Sequence, residues 1–361
     1  MKCRHLLSQR ALAFFCLGLA GLWLVSTQSG AASSKPAPDF VVTDLVKGDT
    51  LRLAGLDSHP VLLFFYDGAD MAGVNALPYV NEWDRRYEGD GLQVIGIHSP
   101  ALEQMKIRYN AVEILSRAKV SFPVGADSDR AIYRAYSLSA LPTYILMKPG
   151  REIVYQTSKP LAYAETETAI QKLLAEKKPG MVNPFLVRPL RPIDDPKAKV
   201  IPATPQVNLG YQYGSVADCD SAAYDKLRNF TDSGERQKGK VYLQGYWKVG
   251  PNSVAYEAKY RSSDDHLRII YSGKSVWLLP CFPYAAPGRV YVKQDREYLL
   301  KPYWGKAIED DPAGKPYIYM QYSIPVNIVT NPSFGAHELE IIPGEGDISF
   351  YYLFFEGDVA Q

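Results

Sequence analysis

The spacing of apolar positions changes along the chain and divides it into four parts. Ala11 to Val25 is a single apolar run, shorter than a membrane span requires. From about residue 37, continuous apolar runs alternate with helical periodicity. Val61-Leu62-Leu63-Phe64-Phe65-Tyr66 reads as a strand covered on both faces. Val74, Leu77, Val80, Trp83 and Tyr87 then recur at helical spacing, with Pro78 expected to kink the helix. Leu92 to Ile97 predicts a second buried strand and Leu102 to Arg117 a second helix. Thr143–Met147 and Glu152–Tyr155 predict a hairpin that turns at Lys148-Pro149-Gly150. Ala169, Ile170, Leu173 and Leu174 mark one face of a closing helix. This alternation predicts an α/β domain over residues 37–177.

Residues 178–203 carry Pro179, Pro184, Pro189, Pro192, Pro196 and Pro202, which predicts an extended, semi-rigid linker. Beyond it, over 204–361, helical periodicity disappears. Short strand-like runs replace it, among them Val241–Trp247, Val254–Tyr260, Leu267–Tyr271, Ser275–Leu279, Glu338–Ile342 and Ile348–Phe355. Turn residues separate them, and 17 of the 26 tyrosines fall here. The pattern predicts an all-β sandwich of the jelly-roll type.

Composition adds exclusions. The 361 residues carry a formal net charge of +1, with no basic patch interleaved with aromatics, so no nucleic-acid partner is expected. Lys2, Arg4 and Arg10 precede the first apolar run, and small residues follow it at Ser29-Gly30-Ala31-Ala32. Residues 1–32 therefore read as a signal peptide, with an uncleaved anchor as the alternative and the periplasm or the exterior as the destination. Export leaves two cysteines, Cys219 and Cys281, in an oxidising compartment. Two readings stay open, one intramolecular bridge or two separate buried thiols, and the bridge is favoured. Closing a loop of that length would stabilise the fold by roughly 4 kcal/mol.

Several motifs carry a resemblance. Ala37-Pro38-Asp39-Phe40, Gly91 to Pro100, Arg134-Ala135-Tyr136 and Leu141-Pro142-Thr143 resemble the TlpA/ResA-type branch of the thioredoxin superfamily, which overlaps the peroxiredoxins. The family places W-C-x-x-C between its first core strand and first helix. Here that stretch is Phe65 to Val74, and the two cysteine positions fall on Asp70 and Gly73. A carboxylate and a glycine cannot form and resolve a mixed disulfide. At a helix start, Asp70 is expected to be an ionised N-cap. His98, at a strand exit, reads as a structural histidine. Asp67, Asp70, Asp127 and Asp129 match no known cation loop, and neither a metal nor a cofactor is expected.

The resemblance implies a cis bond before Pro142, with Leu141, Pro142 and Thr143 forming a groove that holds an extended peptide or protein segment. In the last region, Thr204 to Tyr211, Leu243-Gln244-Gly245-Tyr246-Trp247 and the terminal Gly335 to Gly357 resemble the carbohydrate-binding-module-like domain at the C-terminus of DipZ-type proteins. Gln206 and Asn208 depart from that module's opening pattern. The resemblance brings a possible glycan ligand, with Tyr303 and Trp304 as the candidate stacking platform and Tyr284 also considered; Trp247 and Trp277 read as core. The preferred function is an exported, non-catalytic binding module. The alternatives are an extracytoplasmic thiol-disulfide oxidoreductase or peroxiredoxin-like antioxidant protein, and a carbohydrate-binding protein.

Overall fold

The computed structural model describes residues 36–281 and 288–360. Residues 1–32, expected to be a signal peptide, and Tyr284 lie outside the described residues. An α/β domain comes first, as its alternating pattern predicts. The strands of its main sheet are β1 (Leu45–Lys47), β2 (Val61–Tyr66), β3 (Gln93–His98), β4 (Val124–Ala126), β5 (Thr143–Lys148) and β6 (Glu152–Thr157). They form a six-stranded sheet in the order β1-β4-β3-β2-β5-β6, with β2, β3 and β4 parallel to one another and the others antiparallel to their neighbours.

The all-apolar run of β2 has the physical reason expected for it: helices and loops cover both faces. Leu62, Phe64 and Tyr66 share a cluster with Leu77, Val80 and Trp83 of helix α1 (Met71–Tyr87). Val61, Leu63 and Phe65 point the other way, onto Leu53, Tyr136 and Ile145. Pro78 lies inside α1, which continues through it. The helix expected over 102–117 is divided. A 3-10 turn at Glu103–Lys106 gives way to α2 (Arg108–Arg117), and Ile107 between them is extended. The short helix α3 (Ala131–Ala135) and the closing helix α4 (Tyr163–Lys177) complete the domain.

The proline-rich segment is extended, but it is not a free spacer. Val187 N–H donates to Glu167 at 2.7 Å, and Leu190 N–H donates to the Tyr79 hydroxyl at 2.6 Å. Gln171 and Arg86 donate to the carbonyls of Pro184 and Phe185, both at 2.8 Å. The extended segment leaves backbone groups free of partners along the chain, and α1 and α4 supply donors to its carbonyls and acceptors to its N–H groups.

The C-terminal region is all β. Its principal strands are β7 (Val241–Val249), β8 (Val254–Tyr256), β9 (His266–Pro280), β10 (Gly288–Gln294), β11 (Val326–Glu345) and β12 (Ile348–Glu356). The two short runs expected around Leu267 and Leu279 are one strand, β9. It pairs with β7 over Leu267–Ile269, then with β12 over Ser275–Pro280, while β11 follows its other edge. The register with β11 shifts past Gly273, between the stretch paired with β7 and the stretch paired with β12. Among the described residues, eleven strands hydrogen-bond into one sheet. Trp247 is fully buried here, and its indole N–H donates to the Gln244 carbonyl at 2.8 Å.

Candidate functional site

The turn joining β2 to α1 is tightly specified by short-range hydrogen bonds. Asp67 is buried at its start. One carboxylate oxygen accepts from Ala69 N–H at 2.9 Å and the other from Ala101 N–H at 2.8 Å, tying the turn to the loop after β3. Gly68 lies against the ends of two flexible side chains. A Cβ there would lie 2.6 Å from Ile114 Cδ1 and 2.7 Å from Met105 Cε. Asp70 caps α1, accepting from Ala72 N–H at 2.9 Å.

The expectation of a cap is met, but its electrostatics differ from the expected ionised N-cap. Burial raises the Asp70 carboxyl above its ordinary range, and Asp67 adds repulsion against the helping bond from Ala72. The helix dipole and one amide therefore do not offset the lost water. Gly73, the second former cysteine position, is buried in the first turn of α1. A Cβ at Gly73 would sit 3.1 Å from the Asp67 carbonyl oxygen, so a larger side chain needs a shift of a few tenths of an ångström.

Beneath the turn lies His98, fully buried, its ring tilted 39° to that of Tyr66 with centroids 5.1 Å apart. Desolvation lowers its pKa to about 4, and its Nε2 has no hydrogen-bond partner among the described residues. Asp127 accepts from the Ser99 hydroxyl and from the N–H groups of Ile132 and Tyr133. Both Asp67 and Asp127 are thus occupied in holding loops.

The Leu141–Pro142 bond is cis. Of the three residues at that loop, Pro142 lines the cavity beside Asp70. Leu141 packs toward the opposite cluster, and the Thr143 hydroxyl is taken by Ala140 O and Ser158 Oγ.

The cavity itself measures about 370 Å³, and its far wall was not legible in the sequence. Arg191 and Ile193 of the proline-rich segment, residues 202–206, and Phe354 to Gly357 at the end of β12 close over Asp70 and Pro142. The Tyr352 hydroxyl donates to the carbonyl of Ala69, in the turn itself. Arg191 bridges Asp194 at 2.5 Å and Glu356 at 2.7 Å. Burial raises the Glu356 carboxyl, and Arg191 opposes that shift. Sequence pattern marked these residues only as linker and closing strand.

The expected disulfide needs correction. Cys219 and Cys281 are not bridged; both are free thiols. A bridge needs Cβ atoms about 3.8 Å apart, and the two side chains occupy different surroundings. Cys281 follows the last residue of β9; its N–H donates to Ser349 O at 2.7 Å and its thiol meets Tyr351 and Ser349. Cys219 sits in a loop near Asp220 and Arg228. Burial raises the pKa of both thiols. Trp304 forms an isolated antiparallel bridge with Val329. It is half-buried, its indole N–H donates to Leu299 O at 2.7 Å, and Lys301 Nζ lies 5.2 Å from its ring centroid. Tyr303 beside it packs against the core.

Comparison with known proteins places the first domain. The AhpC/TSA family profile matches residues 34–156. A thiol-disulfide oxidoreductase ResA of Bacillus anthracis is 30% identical over 122 residues, covering 34% of this chain and 67% of the relative. The chain belongs to the ResA-type redoxin family. Protein DipZ of Mycobacterium bovis is 26% identical over 223 residues, covering 60% of this chain and 32% of that protein. The chain thus spans about a third of the length of the DipZ relatives. Among solved structures, a thiol:disulfide interchange protein DsbE from Chlorobium tepidum aligns with 39% of this chain and 96% of its own, at 21% identity and a TM-score of 0.35.

Proposed function

We propose that this redoxin is an exported, non-catalytic binding protein of the cell envelope, periplasmic or secreted, that takes a partner at the cleft between Asp70 and Pro142. The supporting observation is the composition of the turn. Thiol exchange needs one sulfur to attack and a second to resolve, and the turn offers a carboxylate and a glycine. The setting is otherwise that of a reactive site: a helix N-terminus, a facing proline loop and a cavity.

A second reading, a thiol-disulfide oxidoreductase or peroxiredoxin-like antioxidant protein, is favoured by the family itself and by the names of its relatives. In this chain the reaction would have to run through Cys219 and Cys281. Their raised pKa values keep them protonated near neutral pH, which slows attack on a disulfide. Export rests on the basic and apolar leader. No helix among the described residues is long and apolar enough to cross a membrane.

The test is dithiothreitol-driven insulin reduction by the chain without its leader, beside a C219S/C281S variant. The proposal expects no turnover above the uncatalysed rate in either. Turnover that disappears in the variant would establish a remote redox pair instead.

A further inference from the structure

We infer that the cavity between the redoxin turn and the β domain is a binding site for a small organic cation with an apolar body. The inference rests on the non-catalytic reading of this same site and names the ligand it would take. Size comes first: about 370 Å³ falls in the range that encloses a small molecule. Occupancy by an extended polypeptide would require the proline-rich segment and the end of β12 to move away. Both are held, by the Tyr352 bond to the turn and by the short ladder that pairs Ile201 with Asp358.

The lining is mostly apolar, with Pro142, Leu161, Tyr163 and Phe354 supplying carbon surface. Its charge is not balanced. Asp70 comes from one domain and Glu356 from the other, and both reach the cavity. The one cation on its wall is Arg191, already shared between Glu356 and buried Asp194. No basic side chain pairs with Asp70 among the described residues. A desolvated carboxylate without a counter-ion is costly, and a positive group placed beside it recovers part of that cost. The raised carboxyl of Asp70 has the same physical origin. An ammonium group would sit against Asp70 and Glu356, and the hydrocarbon part against the proline and aromatic wall. Aromatic faces also attract cations. An anion would meet two carboxylates for one arginine that is already engaged.

The test uses the full chain without its leader. Phenethylammonium, 2-phenylethanol and 3-phenylpropionate serve as cationic, neutral and anionic probes of one shape, read by calorimetry or by chemical-shift titration. The cation is expected to bind more tightly than the alcohol by about tenfold, the scale of one charge-assisted hydrogen bond. The anion is expected not to bind. Asp70→Asn keeps a good helix cap while removing the charge, so it should abolish the preference for the cation and leave binding of the alcohol unchanged. Glu356→Gln should weaken the cation less, because Arg191 partly neutralises that group.

Absence of cation binding, equal or tighter binding of the anion, or an unchanged preference in Asp70→Asn would overturn the inference. A melting transition of Asp70→Asn within a degree or two of the parent shows that the cap has held. Failure here is distinguishable from failure of the non-catalytic reading, which appears as insulin turnover by the parent chain. A chain that reduces nothing and binds no cation overturns only the ligand assignment.

Discussion

The redoxin turn and the two cysteines of the β domain separate things that a thiol enzyme keeps together. The turn has the reactive setting: Asp70 stands at the N-terminus of α1, where dipole and free amides would lower a thiol's pKa. It has no sulfur. Cys219 and Cys281 have the sulfur, but one lies in a loop and the other at a strand end, both with pKa values raised by burial. Family membership therefore transfers the scaffold with more assurance than the reaction, because chemistry resides in the site.

The comparison is sharpened first through pH. His98 is held neutral beneath the turn, with its pKa lowered to about 4 from an unfolded value of 6.5. Between these values the unfolded chain binds the extra proton, so stability rises with pH across that window and is lost as pH falls through it. The difference corresponds to about 3 kcal/mol. Urea unfolding at pH 7 and pH 4 should show a loss on that scale, and His98→Leu should flatten the profile. An equally steep profile in the variant would place the proton elsewhere.

If the turn is a built structure, its carboxylate has to matter without catalysis. Asp67→Ala leaves the N–H groups of Ala69 and Ala101 without their acceptor and should cost about 2 kcal/mol in denaturant unfolding. A change within about 0.5 kcal/mol would mean that the turn is not held as described. Tyr352→Phe removes the bond that clamps the β domain onto Ala69, with an expected loss of about 1 kcal/mol.

The smallest effect is chemical and leaves stability untouched. Maleimide labelling of the native chain followed by mass analysis should modify half-buried Cys219 well before buried Cys281, which should react on unfolding. Finding neither thiol available after denaturation without reductant would restore the disulfide expected from export.

Much of the redoxin domain was legible because its signals are local. The apolar run of β2, the hairpin at Gly150 and the cap at Asp70 depend on near neighbours, and each occurs where the pattern put it. Features set by tertiary contact were not legible. Ile107 breaks the helix expected over 102–117, and β9 merges two predicted strands because it changes partner from β7 to β12. The raised carboxyl of Asp70 follows from a roof contributed by residues more than a hundred positions away. The bridge between Cys219 and Cys281 was inferred from compartment and count, neither of which carries the distance between side chains.

The central claim is that this redoxin lacks thiol chemistry because its turn lacks sulfur, while the surrounding setting persists. The most direct measurement compares C219S/C281S with the same chain carrying Asp70→Cys and Gly73→Cys, each equilibrated across a glutathione redox series and analysed by mass. The account predicts no change in mass for the first at any potential, and a two-electron disulfide transition for the second. Glutathione exchange or insulin reduction by the chain with no cysteine in its turn or its β domain would contradict it.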